Sequence, residues 1–232
     1  MKKLLVTIAT PNIRRWCNGF SQNHKEYAAA NGYVYEEVSE IYWKDLHPSY
    51  SKVHEIQQAL IEGNEYVLWA DADVIFMDYR VDLANLLQGT SDMIENYFMA
   101  AYQQTNWPAW PYLCAGLTVW KKCPNARLFV EEWVDRCEKG SPLIIPGKLT
   151  RMLHEPWEQW YLDELVRKWE YKGIRPCTGQ EIGCFSPEIW QDGTIWQEGM
   201  PTIHLAGPTT WERRAEIAAH YLTKVVYANP VQ

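Results

Sequence analysis

Residues 65–78, EYVLWADADVIFMD, place two aspartates, Asp71 and Asp73, inside an otherwise apolar run. An ionised carboxylate among apolar side chains is costly unless something pairs with it. The run reads as the strand YVLWADADVIF, buried on both faces, and in extended chain residues i and i+2 point the same way. Asp71 and Asp73 are therefore expected to converge on one point, where a cation between them relieves their repulsion.

Working outward, strands and helices alternate. KLLVTIAT is a first strand ended by Pro11, and SQNHKEYAAAN, from Ser21 to Asn31, is helical up to Gly32. YVYEEV alternates as a second strand, and Val53, Ile56 and Leu60 form the stripe of a helix that ends at Gly63. Beyond the aspartates, Pro124 opens a helix with Ala126, Phe129, Val130, Trp133, Val134 and Cys137 on one face, closed by Gly140. A further helix is expected over 158–170, and Thr209 with Glu212 has capping-box spacing before the last one. Segments 105–113 and 139–156 read as loops. The alternation predicts a single α/β domain over 1–232, with a mostly parallel, Rossmann-like central sheet flanked by helices. In such sheets ligands bind beyond the carboxyl ends of the strands, where YVLWA delivers the two aspartates.

Composition narrows the partners. The chain has 232 residues, 47% of them hydrophobic and 13 of them Trp, enough for a substantial core. A formal net charge of −7 argues against nucleic acid or an anionic membrane as partner. The basic, apolar N-terminus lacks a cleavage-site pattern, and nowhere do 18 apolar residues run together, so no membrane span is expected. Six cysteines without a CxxC pair fit reduced thiols and a cytoplasmic setting.

Carboxylate oxygens suit a hard divalent cation, Mn²⁺ or Mg²⁺. Two enzyme classes put DxD after an apolar strand. In haloacid-dehalogenase-like phosphatases the first aspartate, here Asp71, is the nucleophile, but that motif usually lies on the first strand. In glycosyltransferases with the GT-A fold the metal bridges the diphosphate of a sugar nucleotide. A catalytically inactive sugar-nucleotide binder is a third reading.

The ordered motifs of the chain resemble glycosyltransferase family 34, the metal-dependent retaining galactosyl-, xylosyl- and mannosyltransferases. QNHKEYAAANGYVYE is similar to the family's KNKxDYCxxHGY helix, and HPSYSKVHEIQQAL followed by YVLWADADVIFMD to its helix and WxDxDAxxM. LCAGLTVWKKCPNARLFVEEWVD stands for LNAGVFLxRN and its helix, EQWYLDELV for a DQ pair, and IHLAG for HFxGC. Cys114 stands where the family has Asn, Glu158 where it has Asp, Pro208 where it has Cys, and Thr209 where a Lys follows.

This resemblance implies a GT-A fold and transfer, with retention, of a sugar from a nucleotide-diphosphate donor, UDP-linked, to a hydroxyl of a saccharide or glycoconjugate acceptor. It implies that Asp71, Asp73 and His204, as a neutral imidazole, hold the metal, and that Thr10, Lys52, Ala72, Gly207 and Arg213 or Arg214 contact the donor. Gln159 is its candidate for the sugar's reacting face, with Glu158 on sugar hydroxyls and Asp163 a second option. Trp107, Trp110, Trp157 and Trp160 offer rings on which an acceptor glycan can stack.

Overall fold

The computed structural model describes residues 1–44, 46–88, 97–104, 112–140, 158–189, 195–207 and 209–227. Its main sheet contains β1 (Lys3–Ile8), β2 (Tyr33–Val38), β3 (Tyr66–Ala70), β5 (Met99–Gln104), β6 (Tyr112–Lys121) and β7 (Ile174–Cys177), in the order β2-β1-β3-β6-β5-β7. Strands β1, β2 and β3 run parallel, β6 is antiparallel to both its neighbours, and β7 is parallel to β5. One reversed strand in six keeps the sheet mostly parallel, as expected.

Alternation along the strands fills two cores. Leu5, Leu68 and Ala70 face one, with α1 (Pro11–Asn31) and α6 (Trp211–Leu222) over it; Leu4, Val6, Val67 and Trp69 face the other. That second face is covered by α2 (Pro48–Ile61), α3 (Pro124–Gly140) and α4 (Glu158–Lys168). A small sheet of order β4-β9-β8 joins Val74–Phe76, Thr202–His204 and Cys184–Phe185, after the short α5 (Gly179–Ile182).

Five expectations need correction. YVLWADADVIF is not one strand: β3 stops at Ala70, Asp71 to Asp73 form a turn closed by the Val74 N–H on the Asp71 carbonyl at 3.0 Å, and β4 enters the second sheet. The carboxylates meet through this turn rather than through strand alternation. Helix α1 begins at Pro11, ten residues early, because proline at the first helical position costs no hydrogen bond. Gly19 inside it lets α6 approach, since a Cβ there would lie 2.9 Å from Leu222 Cδ1. The N-cap of α6 is Thr210, whose side chain accepts from the Arg213 N–H at 3.2 Å, one residue later than read. Helix α4 ends at Lys168 because Glu170 and Tyr171 adopt φ of +52° and +58°, which no helix contains. Tyr112 and Leu113, read as loop, belong to β6, and Lys139 and Gly140 to α3; 105–111 and 141–156 lie outside the described residues.

The polar pair Asn23 and His24 on α1 holds the turn's far side. Asn23 pairs with both backbone groups of Phe76, donating at 2.9 Å and accepting at 2.8 Å, as a neighbouring strand would. His24 Nε2 donates to the Val74 carbonyl at 2.8 Å. Burial pushes the His24 pKa down to about 4, so the ring is neutral and its Nε2–H supplies that bond. The open edge of β4 is thereby closed by side chains rather than left to water.

Candidate active site

Strand β3 stops at Ala70, opposite Leu117, and the site is built where the first residues of β6 extend beyond it, paired there with β5 alone. The Asp71 N–H donates to the Gly116 carbonyl at 2.7 Å, fixing the start of the turn against β6. The pairing Val74↔His204 between β4 and β9 brings His204 opposite the turn's end. As a result His204 Nε2 lies 3.1 Å from Asp73 Oδ1 and 3.9 Å from Asp71 Oδ2. Donor atoms from Asp71, Asp73 and His204 lie within 4.8 Å of one another. Two carboxylates and an imidazole converging from a turn and a strand end fit a divalent cation in donor chemistry and in spacing.

Each of these charges has a counter-charge. Lys52, from the buried face of α2, reaches Asp71 at 2.9 Å and Glu158 at 2.9 Å. Arg214, on α6, reaches Asp73 at 3.3 Å and donates to the carbonyls of Leu205 and Gly207 at 2.9 Å each. Burial works against the ionised form of Asp73, but His204 and Arg214 outweigh it and hold its carboxyl below the usual range. Burial pushes the Asp71 carboxyl up, opposed by Lys52 and His204 and reinforced by Asp73. The imidazole of His204 is disfavoured as a cation by burial, yet Asp73 raises its pKa to about 10. Trp69 adds a ring N–H to Asp71 Oδ1 at 2.7 Å.

Helix α4 closes the other side. Gln159 Oε1 accepts from the Ala115 N–H and Asp163 Oδ1 from the Leu113 N–H, both at 3.2 Å. Residues four apart on a helix thus satisfy alternate N–H groups of β6 beyond the end of β3. Glu158, buried at the first position of α4, gives Oε1 to Lys52 and leaves Oε2 without a hydrogen-bond partner among the described residues. Burial opposes its ionisation but Lys52 prevails, so its carboxyl sits below the usual range.

Asp163 carries a pH prediction. Burial raises its pKa to about 6, above the unfolded value near 4. The folded form then holds its proton more tightly, so the contribution to stability is full at low pH and is lost as pH rises through about 6. Asp163→Asn keeps the acceptor for Leu113 and removes the charge. It should stabilise the fold by about 1–3 kcal/mol at pH 7.5 and hardly at all at pH 4. Urea melts at both pH values check this, and an equal effect at both would refute it.

The fold has known counterparts. No protein-family model matches the sequence, and no curated protein does. Among solved structures, a glycosyltransferase involved in glycosylation of the major capsid of PBCV-1 superposes with a TM-score of 0.67 at 16% identity, covering 95% of this chain and 100% of its own. Galactosyltransferase LgtC, solved with donor and acceptor sugar analogs, gives 0.55 at 14% identity over 97% of each chain. This is the GT-A fold. The glycosyltransferase GlyE of Streptococcus pneumoniae TIGR4 gives 0.52 at 13% identity, over all of this chain and 66% of its own.

Within the GT-A frame the expected site residues divide. Asp71, Asp73, His204, Lys52, Glu158 and Gln159 form one connected group. Ala72, between the aspartates, packs on Ala9, Cys17 and Trp211, which sets the end of β1 and Thr10 beside the turn. Gly207 adopts φ of +129° and gives its carbonyl to Arg214. Arg213 points away, paired with Glu216 at 2.9 Å on the exposed face; of the two candidate arginines, Arg214 is the one at the site. Trp160 is 56% exposed and donates to Glu164 at 2.9 Å, while Trp107, Trp110 and Trp157 lie outside the described residues.

Sequence reading passed over Gly116. A Cβ on it would lie 2.1 Å from His204 Cε1 and 2.8 Å from each ring nitrogen, so only glycine admits the ring. A glycine inside the strand LCAGLTVW is itself the signal of a close approach.

Proposed function

We propose that the protein is a metal-dependent glycosyltransferase that moves a hexose or pentose from a nucleotide-diphosphate sugar, UDP-linked, to a hydroxyl of a saccharide or glycoconjugate acceptor, with retention. The observation that carries this reading is the meeting of Asp71, Asp73 and His204 at the carboxyl end of β3 in a GT-A fold. These three residues would hold Mn²⁺ or Mg²⁺. Such a cation supplies Lewis-acid stabilisation of the charge that gathers on a leaving diphosphate.

The remaining residues prepare the cleft for that event. Arg214 ties the loop after His204 to α6 through two carbonyls, and its guanidinium adds positive charge beside the aspartates. Lys52 keeps Glu158 ionised, and Oε2 of Glu158 is an acceptor for a sugar hydroxyl. Gln159 is oriented by its bond to the Ala115 N–H before substrate arrives, which suits a group on the sugar's reacting face. Thr10, Ala72 and Gly207 line the donor side, and Trp160 presents an open ring to an acceptor. Among the described residues no helix is long and apolar enough to cross a membrane, and all six cysteines are free, which suits the reducing cytoplasm.

A thermal-shift panel of UDP- and GDP-sugars with and without Mn²⁺ tests the reading. One UDP-sugar should stabilise the protein only when Mn²⁺ is present, by about 2.7 kcal/mol at a hundredfold excess over Kd. Product from the responding donor, analysed by NMR, should keep the anomeric configuration. Hydrolysis of small phosphate esters through a phosphoryl group trapped on Asp71 would replace the proposal with a phosphatase, and donor affinity without turnover would replace it with a binding protein.

A further inference from the structure

We propose that Cys114 is a positioning residue for His204, presenting the Nε2 lone pair of that ring to the divalent cation; the inference rests on the metal-binding reading above. The His204 residue is 7% exposed, and neighbours hold most of its ring. Gly116 leaves room for it on β6, Phe185 stacks on it with centroids 5.6 Å apart at 26°, and Asp73 Oδ1 meets Nε2 at 3.1 Å. At the opposite nitrogen, among the described residues, Cys114 Sγ lies 3.6 Å from Nδ1.

A buried imidazole keeps two freedoms: which nitrogen faces the aspartates, and which nitrogen carries the hydrogen when only one does. With a cation on Nε2 the ring keeps its hydrogen on Nδ1, where the sulfur 3.6 Å away would accept it and fix which nitrogen is turned toward Asp73 and Asp71. Cys114 is 5% exposed, so water does not compete for the Nδ1 hydrogen. Its sulfur is not among the donor atoms that converge on the cation position. Cys114 thus acts through His204 and is not a ligand itself.

The experiment compares wild type with Cys114→Ala, Cys114→Val and Cys114→Ser by Mn²⁺ titration followed by EPR, with metal-free melting curves alongside. Alanine and valine remove the acceptor and should weaken Mn²⁺ binding about 10- to 100-fold. Serine restores an acceptor oxygen and should stay within about threefold of wild type. A readout that packing alone would not move is the ¹⁵N spectrum of His204 with Mg²⁺ bound: wild type and Cys114→Ser should show hydrogen on Nδ1 alone, and Cys114→Val a mixture. Equal Mn²⁺ affinity in all four proteins, with an unchanged ¹⁵N pattern, overturns the role of Cys114 while leaving the metal site standing. A sulfur-to-metal charge-transfer band in the Co²⁺-loaded wild type overturns it too, by making Cys114 a ligand. Failure of wild type to bind any of these cations overturns the metal reading as well.

Discussion

Asp73→Asn is expected to lower sugar transfer by about 10³-fold, with loss of Mn²⁺ affinity to match. Asparagine has the same shape and its amide oxygen can still accept from Arg214, so the loop after His204 stays tied to α6 through the Leu205 and Gly207 carbonyls. What disappears is the negative charge. Asp73 is the carboxylate that the site keeps ionised, since His204 and Arg214 both face it, whereas Asp71 is pushed toward its neutral form by burial and by Asp73. The variant therefore loses the stronger of the two anionic donors and the partner that orients His204 Nε2. Circular dichroism should show a folded protein, and turnover per folded molecule is the quantity to compare. A variant that keeps more than a tenth of wild-type turnover at the same Mn²⁺ optimum would sink the assignment of Asp73.

The parts legible in the sequence are those fixed by short-range pattern. Two aspartates after an apolar strand needed a partner, and the ordered motifs placed His204 with them. The turn at Asp71 to Asp73 was hidden because YVLWA and VIF are equally apolar, so hydrophobicity continues where the chain changes sheets. The choice between Arg213 and Arg214 turned on one residue of cap position: a helix turns about 100° per residue, and Thr210 rather than Thr209 as N-cap belongs with Arg214 facing in. The ion pairs of Lys52 were not legible, because its two carboxylates lie 19 and 106 residues away in the chain and no local pattern reports such a meeting.

That ion network carries the largest expected effect on stability. Lys52→Met should destabilise the protein by about 3–5 kcal/mol at pH 7.5, the cost of leaving a buried charge without its partner. The two carboxylates it serves are not equivalent. The Asp71 side chain is 27% exposed and can turn to water, while that of Glu158 is 6% exposed with one oxygen already unpartnered among the described residues, so Glu158 dominates the loss. In wild type the depressed Glu158 carboxyl contributes stability above its unfolded pKa near 4, lost as pH falls. Without Lys52, the largest influence opposing burial, only the Ser49 side chain and the Glu158 backbone still favour the ionised form, so the carboxyl moves up and the stability it contributes above pH 4 falls away. The gap between wild type and Lys52→Met should therefore widen from pH 4 to pH 8 in urea melts. Adding Glu158→Gln removes the stranded charge and should recover most of the loss. A penalty under about 1 kcal/mol, flat across that pH range, would mean that water or rearrangement already satisfies Glu158 and that Lys52 does not hold the site together.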